Sequence, residues 1–157
     1  ILFSAYFIVA RSRKSRRVAP GRTIEHRPTA SIRGNDLFDF EIVGEASYQR
    51  AISNIAGPKT EDGAWIETIA TLRCENTNAH DPKAVRVEID RMVVGYLSRK
   101  DARAYRAALK AAGRGEADQT ARAAINGGWK RRDLDDEGID EGLFGVKLDM
   151  IKPLEFR

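Results

Sequence analysis

From Leu37 onward the chain falls into short apolar runs separated by clear punctuation. Leu37, Phe38, Phe40 and Ile42 set against Asp39 and Glu41 predict a half-buried strand that ends at Gly44. Ser47 stands where a helix N-cap belongs, ahead of YQRAISNIAG, in which Ala51, Ile52 and Ile55 recur at helical spacing before Gly57-Pro58. Residues 65–74, WIETIATLRC, alternate Ile66, Thr68 and Ala70 with Glu67, Ile69 and Thr71, and their β-branched content favours a strand. The turn formers of ENTNAHDP break that strand. Residues 83–89 and 92–97 alternate again and meet at Asp90-Arg91, the pattern of a hairpin.

The strongest helix signal covers residues 99–112, RKDARAYRAALKAA, with Ser98 as N-cap and Gly113 as C-terminal stop. Ala102, Tyr105, Ala108, Leu109 and Ala112 form its apolar face, and Arg99, Lys100, Arg103, Arg106 and Lys110 oppose them with only Asp101 between. A strand at 120–125, the turn NGGW, an acidic loop DLDDEGIDEG and a last strand at 144–151 follow. Six strands and two helices predict an α+β domain. Two helices cannot cover a parallel sheet, so the strands are expected to curl into a small OB-like barrel. Trp65 and Trp129 are assigned to packing in the core or at the barrel end, and Gly127-Gly128 to a turn with positive φ.

Upstream of Leu37 the pattern differs. ILFSAYFIVA, residues 1–10, carries no charge before the run RSRKSRR, and ten helical residues reach only about 15 Å, half the thickness of a bilayer. It reads as the C-terminal part of a truncated transmembrane or apolar segment. Arg11, Arg13, Lys14, Arg16 and Arg17 beyond it would place the rest of the chain on the cytoplasmic side, tethered to the membrane, and suit an anionic lipid surface. Residues 11–36 are basic and mix Pro, Gly, Ser and Thr without apolar periodicity, so a flexible linker is expected there, with 37–152 as the domain and 153–157 as a tail.

Composition changes this picture in one respect. The 157 residues carry a net charge of +4, which alone would suggest a nucleic-acid partner. Residues 1–34 hold eight bases against one acid, +7, and the remainder 19 bases against 22 acids, −3. The positive balance therefore belongs to the tail. A single cysteine, Cys74, excludes an internal disulfide and is most simply a small buried hydrophobe in a reducing compartment.

Catalytic motifs are lacking: the chain has no GxGxxG, Walker loop, HExxH or GxSxG, and its domain has one histidine, His80. No enzyme activity, metal or cofactor is expected from these residues. His80 and Asp81 supply at most two metal ligands where a stable site takes three or four. Asn78 and Asp81, ahead of Pro82, fit equally a ligand contact or an Asx-type tie within the turn. Tyr48 and Tyr96 fit either a stacking surface or the core rim.

One ordered set of segments is more specific. IVGEASYQ, LRCENTNAHDPKAVRVEI, VVGYLSRKDARAY, INGGW and FGVKLDM follow one another along residues 42–150. Their order and wording, above all NxxDPxAVxV followed by VGYL, resemble the HIRAN domain of helicase-like DNA repair ATPases and of bacterial free-standing or fused proteins. The resemblance spans roughly residues 37–152. It implies an OB-like barrel that binds single-stranded DNA and grips a free 3′ end. On that reading Asp81 accepts a hydrogen bond from the terminal 3′-hydroxyl, Asn78 and His80 contact the last base or its sugar, and Tyr48 offers a face for stacking. Tyr96 lines the pocket, Arg99 contacts phosphate, and Lys100 and Arg103 extend the basic edge. Ala46 and Ser47 replace a base and a second aromatic of the animal examples, which removes one phosphate contact and one stacking platform. Two other readings remain open: a protein-interaction scaffold without DNA binding, and an accessory module of a metal-dependent hydrolase, nuclease or helicase.

Overall fold

A computed structural model describes residues 30–132 and 138–157. The apolar segment 1–10, the bases Arg11 to Arg17 and part of the acidic loop lie outside these residues. Six antiparallel strands form one curled sheet, a half-barrel, in the order β1-β8-β5-β2-β3-β4: β1 Phe40–Glu41, β2 Ala64–Glu75, β3 Ala84–Ile89, β4 Met92–Tyr96, β5 Gln119–Gly127 and β8 Phe144–Asp149. Two helices accompany it, α1 Gln49–Ala56 and α2 Arg99–Ala111. The domain is α+β. No helix among the described residues is long and apolar enough to cross a membrane.

Alternation along the strands decides what is inside. Ala70 and Leu72 of β2, Val85, Val87 and Ile89 of β3, Ala121, Ala123 and Ile125 of β5, and Val146 and Leu148 of β8 are all buried in one core. Ala102, Tyr105 and Leu109 of α2 close this core, the i, i+3, i+7 stripe that the sequence predicts. Ser98 caps α2 as expected: its Oγ accepts from the Asp101 N–H at 3.1 Å and donates to Asp101 Oδ2 at 2.7 Å. Asp90 and Arg91 both take positive φ, 50° and 64°, which gives the β3–β4 hairpin a turn twisted to match its strands.

The two edges of the sheet meet at one point. Val43, just beyond β1, bridges Tyr96 at the end of β4 through paired backbone hydrogen bonds of 2.8 and 2.9 Å. Gly95 permits this approach, because a Cβ there would lie 2.7 Å from Ile42 Cδ1 and 2.8 Å from the Val43 carbonyl.

Several expectations are corrected. The first strand does not run from 37 to 44: Asp149 Oδ1 accepts from the N–H groups of both Asn35 and Asp36, and Asp36 and Phe38 adopt positive φ, so regular strand survives only at Phe40–Glu41. Ser47 does not cap α1. It lies in a 3-10 turn, Glu45–Tyr48, and the position before α1 is Tyr48, without a side-chain cap. Gln49 anchors this region instead, donating to the Phe144 carbonyl at 2.8 Å and accepting from the Phe144 N–H at 2.9 Å. Trp65 is not in the core: it is 55% exposed on the outer face, edge-on to Phe38 at 5.7 Å.

Within the acidic stretch, β7 Ile139–Glu141 pairs with β6 Lys130–Arg132 as a separate two-stranded ribbon, entered through Gly127 and Gly128 at φ 74° and 68°. Nor are the last linker residues and the C-terminal tail free of the domain. Ala30 and Ile32 are buried, Ile32 bridges Phe156, Arg157 donates its N–H to the Ser31 carbonyl, and Leu154 and Phe156 pack on the core. The apolar character of Ile32, Leu154 and Phe156, short as it is, suffices to dock both ends.

Gly95→Ala would force Val43 from Tyr96. Overpacking of this kind costs about 1 to 3 kcal/mol. We expect a lower urea midpoint at unchanged m-value, measured by equilibrium unfolding.

Candidate nucleic-acid interface

The loop between β2 and β3 is wound by its own side chains. Asn78 Oδ1 accepts from the N–H groups of His80 at 2.9 Å and Asp81 at 3.0 Å, and its Nδ2 donates to Glu75 Oε2 at 2.8 Å. Asp81 Oδ1 accepts from the Lys83 N–H at 2.9 Å, and the Asp81 carbonyl from the Ala84 N–H at 2.9 Å. Both Asx residues thus act as turn formers. The loop ends with the Asp81 carboxylate beside α2.

There the second oxygen, Oδ2, meets Arg103 Nη1 at 3.3 Å and Arg99 Nε at 4.0 Å. Arg103 also donates to the Arg99 carbonyl, which fixes its guanidinium at this edge. The Lys83 N–H, with Arg103 and Arg99 after it, outweighs the opposing effect of burial and holds the Asp81 carboxyl below its ordinary range. An ionised carboxylate offers about four acceptor positions. The Lys83 N–H and Arg103 occupy part of that capacity; Arg99, with 76% of its side chain exposed, remains open to solvent.

On the other side of Asn78 lies a tyrosine pair. The rings of Tyr48 and Tyr96 are 6.2 Å apart, tilted by 48°, and both residues are half-buried, Tyr48 against the core. Burial, then the Glu75 carboxylate and the Tyr48 hydroxyl, push the Tyr96 phenol upward, so it stays a protonated donor. Glu75 is held low by Asn78 first, with Tyr96 and Arg86 adding to it against burial. Arg86 reaches Glu75 at 2.9 Å and Glu88 at 2.7 Å.

A continuous polar path therefore runs from Tyr48 through Tyr96, Glu75 and Asn78 to Asp81, Arg103 and Arg99. Two of the residues named from the sequence stand apart from it. His80 is exposed and joins only through its backbone N–H, and Lys100 is exposed one position round the helix, where its charge acts on Asp101 instead. No group of three or more His, Cys, Asp or Glu side chains among the described residues is placed to hold a metal ion.

The sequence does not single out Glu75, and it shows Arg106 only as one base of the α2 stripe. Arg106 ties the site to α2: Nε donates to the Lys83 carbonyl, Nη2 to the Ala84 carbonyl, and Nη1 to Asn76 Oδ1 and Glu116 Oε1, each at 2.9 Å. Its place on the basic stripe four residues before Lys110 was visible, but the stripe alone does not tell a latch from a free charge. Glu75 had a weaker signal, an acid closing an otherwise apolar strand directly before an Asx-rich turn. No family model, curated protein or solved structure matches the chain.

Removing the latch should loosen the loop. Arg106→Met leaves the Lys83 and Ala84 carbonyls without their donor, an expected loss of about 1 to 3 kcal/mol. Hydrogen exchange should quicken at Asp81 to Ala84 before it does in β5.

Acid should act on the same region. The folded pKa values of Glu75 and Asp81 are lowered, so their contribution is full above the ordinary carboxylate range near 4 and is lost as pH falls through the folded values. A melting series across this interval should show stability falling, with a smaller fall in Glu75→Gln and Asp81→Asn.

Proposed function

We propose that the domain is a HIRAN-type, OB-like module that binds single-stranded DNA and receives its free 3′-hydroxyl end at Asp81. The observation that carries the reading is the Asp81 carboxylate, kept ionised between a turn N–H and two arginines, beside a pair of half-buried tyrosines. A carboxylate accepts from a hydroxyl and repels a terminal phosphate. Arg99 and Arg103 neutralise the next phosphate, and the half-buried rings of Tyr48 and Tyr96 take the last base by stacking. Ala46 and Ser47 are exposed in the 3-10 turn before Tyr48 and add neither charge nor ring. Affinity then rests on few contacts, and no turnover or cofactor is involved. On the same proposal the chain works on the cytoplasmic face of a membrane, tethered through residues upstream of Ala30, with Arg11, Arg13, Lys14, Arg16 and Arg17 on anionic lipid.

A second reading has one observation in its favour. Asn78 and Asp81 are both engaged in winding their own loop, which suits a scaffold domain that binds proteins and no DNA.

Titration of the full chain with labelled strands ending in 3′-hydroxyl or 3′-phosphate separates the two. Loss of one charge-assisted hydrogen bond is worth about 1.5 to 3 kcal/mol, roughly 10- to 100-fold in affinity. Asp81→Ala should weaken binding of the hydroxyl end by that factor and leave the phosphate end unaffected or improved. A parallel chain with the five tail bases changed to Gln removes their contribution. Equal affinity for both ends reduces the reading to general strand binding, and no binding at low salt favours the scaffold.

A further inference from the structure

The basic stripe of α2 continues beyond Asp81. Arg99, Arg103, Arg106 and Lys110 follow one another by three or four residues, so they line one side of the helix. Past Arg103 this side borders an open cavity of about 460 Å³, a volume usual for ligand sites, lined by Lys83, Arg103, Arg106, Ala107, Lys110 and Glu116.

Its charges are not equivalent. Arg106 is spent on two carbonyls and on Asn76 and Glu116, and Glu116 is taken in turn by Arg106 and by Asn76 Nδ2 at 2.6 Å. Arg103 is shared with Asp81. Lys83 and Lys110 are left: both are exposed, and neither ammonium has an ion-pair partner among the described residues. Lys83 serves the turn only through its backbone. Two ammonium groups at one cavity, where Arg103 and Arg106 already balance Asp81 and Glu116, concentrate positive potential there.

We propose that this cavity carries the sugar–phosphate backbone of a strand whose end lies at Asp81, with Lys83 and Lys110 each contacting a phosphate. The inference rests on the strand-binding reading above and gives that strand a direction, away from the tyrosine pair and along α2 toward Gly113. Eleven residues separate Arg99 from Lys110, about 16 Å of helix, or four to five nucleotides at a stacked rise of about 3.4 Å. Lysine suits this role because an ammonium acts as a point charge on phosphate without demanding one orientation of the strand.

The test is the salt dependence of binding by the full chain and by Lys83→Gln/Lys110→Gln. A 3′-hydroxyl strand of about ten nucleotides is titrated between about 50 and 200 mM salt, where each neutralised single-strand phosphate contributes about 0.7 to the slope of log K against log salt. The double variant should lose about 1.4 from that slope while keeping its preference for a hydroxyl end, and Lys83→Arg/Lys110→Arg should restore it. A dinucleotide has a single phosphate, which Arg99 and Arg103 take, and should bind parent and variant alike. An unchanged slope in a variant that melts like the parent overturns the path and leaves binding at Asp81 standing. Failure of the parent to bind any strand overturns the underlying reading instead. Should the double variant fold poorly, Lys110→Gln alone, on an exposed helix position, should lose about 0.7.

Discussion

Two hydrogen bonds between Val43 and Tyr96 join the first and last strands of the sheet, and the site depends on that seam. An open six-stranded sheet would leave both edges unpaired, exposing rows of N–H and C=O groups. Here the left edge shrinks to two residues and then bends across to meet the right one. The bend brings Gly44 and the 3-10 turn over the end of the half-barrel, which sets Tyr48 against Tyr96. Tyr96 in turn faces Glu75, and Glu75 holds Asn78. The geometry of the loop that presents Asp81 thus reaches back through side chains to the closure of the sheet.

Electrostatics divide the surface by use. Across the outer face of the sheet the charges are paired off: Arg73 with Asp118 and Glu88, Arg86 with Glu75 and Glu88, Arg122 with Asp36, Glu67 and Asp149. The exposed pair Arg73–Asp118 contributes little, whereas Glu88 and Asp149 are buried, and Asp149 also anchors the N–H groups of Asn35 and Asp36. Along α2 the cations gather without a matching number of acids. A net charge of −3 over most of the chain therefore does not describe α2, where the nearby acids are already paired: Asp81 with Arg99 and Arg103, Glu116 with Arg106, Asp101 with Lys152.

How far the sequence foretold this differs from residue to residue. The alternation in β2, β3 and β5, the Ser98 cap and the buried stripe Ala102, Tyr105, Leu109 follow from local rules, since each depends on neighbours close in the chain. The strand around Phe38 was misread because its fate is decided by Asp149, more than a hundred residues away, whose carboxylate draws the backbone into a turn. Ser47 failed as a cap for a similar reason: Gln49 ties that turn to Phe144, and no local pattern announces the partner. At the site, Asp81, Arg99 and Arg103 stood out in sequence and do meet in space. Glu75 and Arg106 did not stand out, because an acid inside a strand and a base on a helix acquire their roles only when the fold brings β2, the loop and α2 together. The ribbon β6–β7 was hidden by the acidity of its second arm, where Glu141 is met by Lys59 and Lys130 and Asp140 by the Trp129 N–H.

The bridge between Ile32 and Phe156 has a mechanical meaning. The chain enters and leaves the domain side by side, on a short antiparallel contact. A pull between the two ends loads a core strand at once, because Ile32 donates its N–H to the Thr120 carbonyl of β5 and is itself buried in the core. The two ends are thus held by the core itself and not by a clasp that could detach without disturbing it.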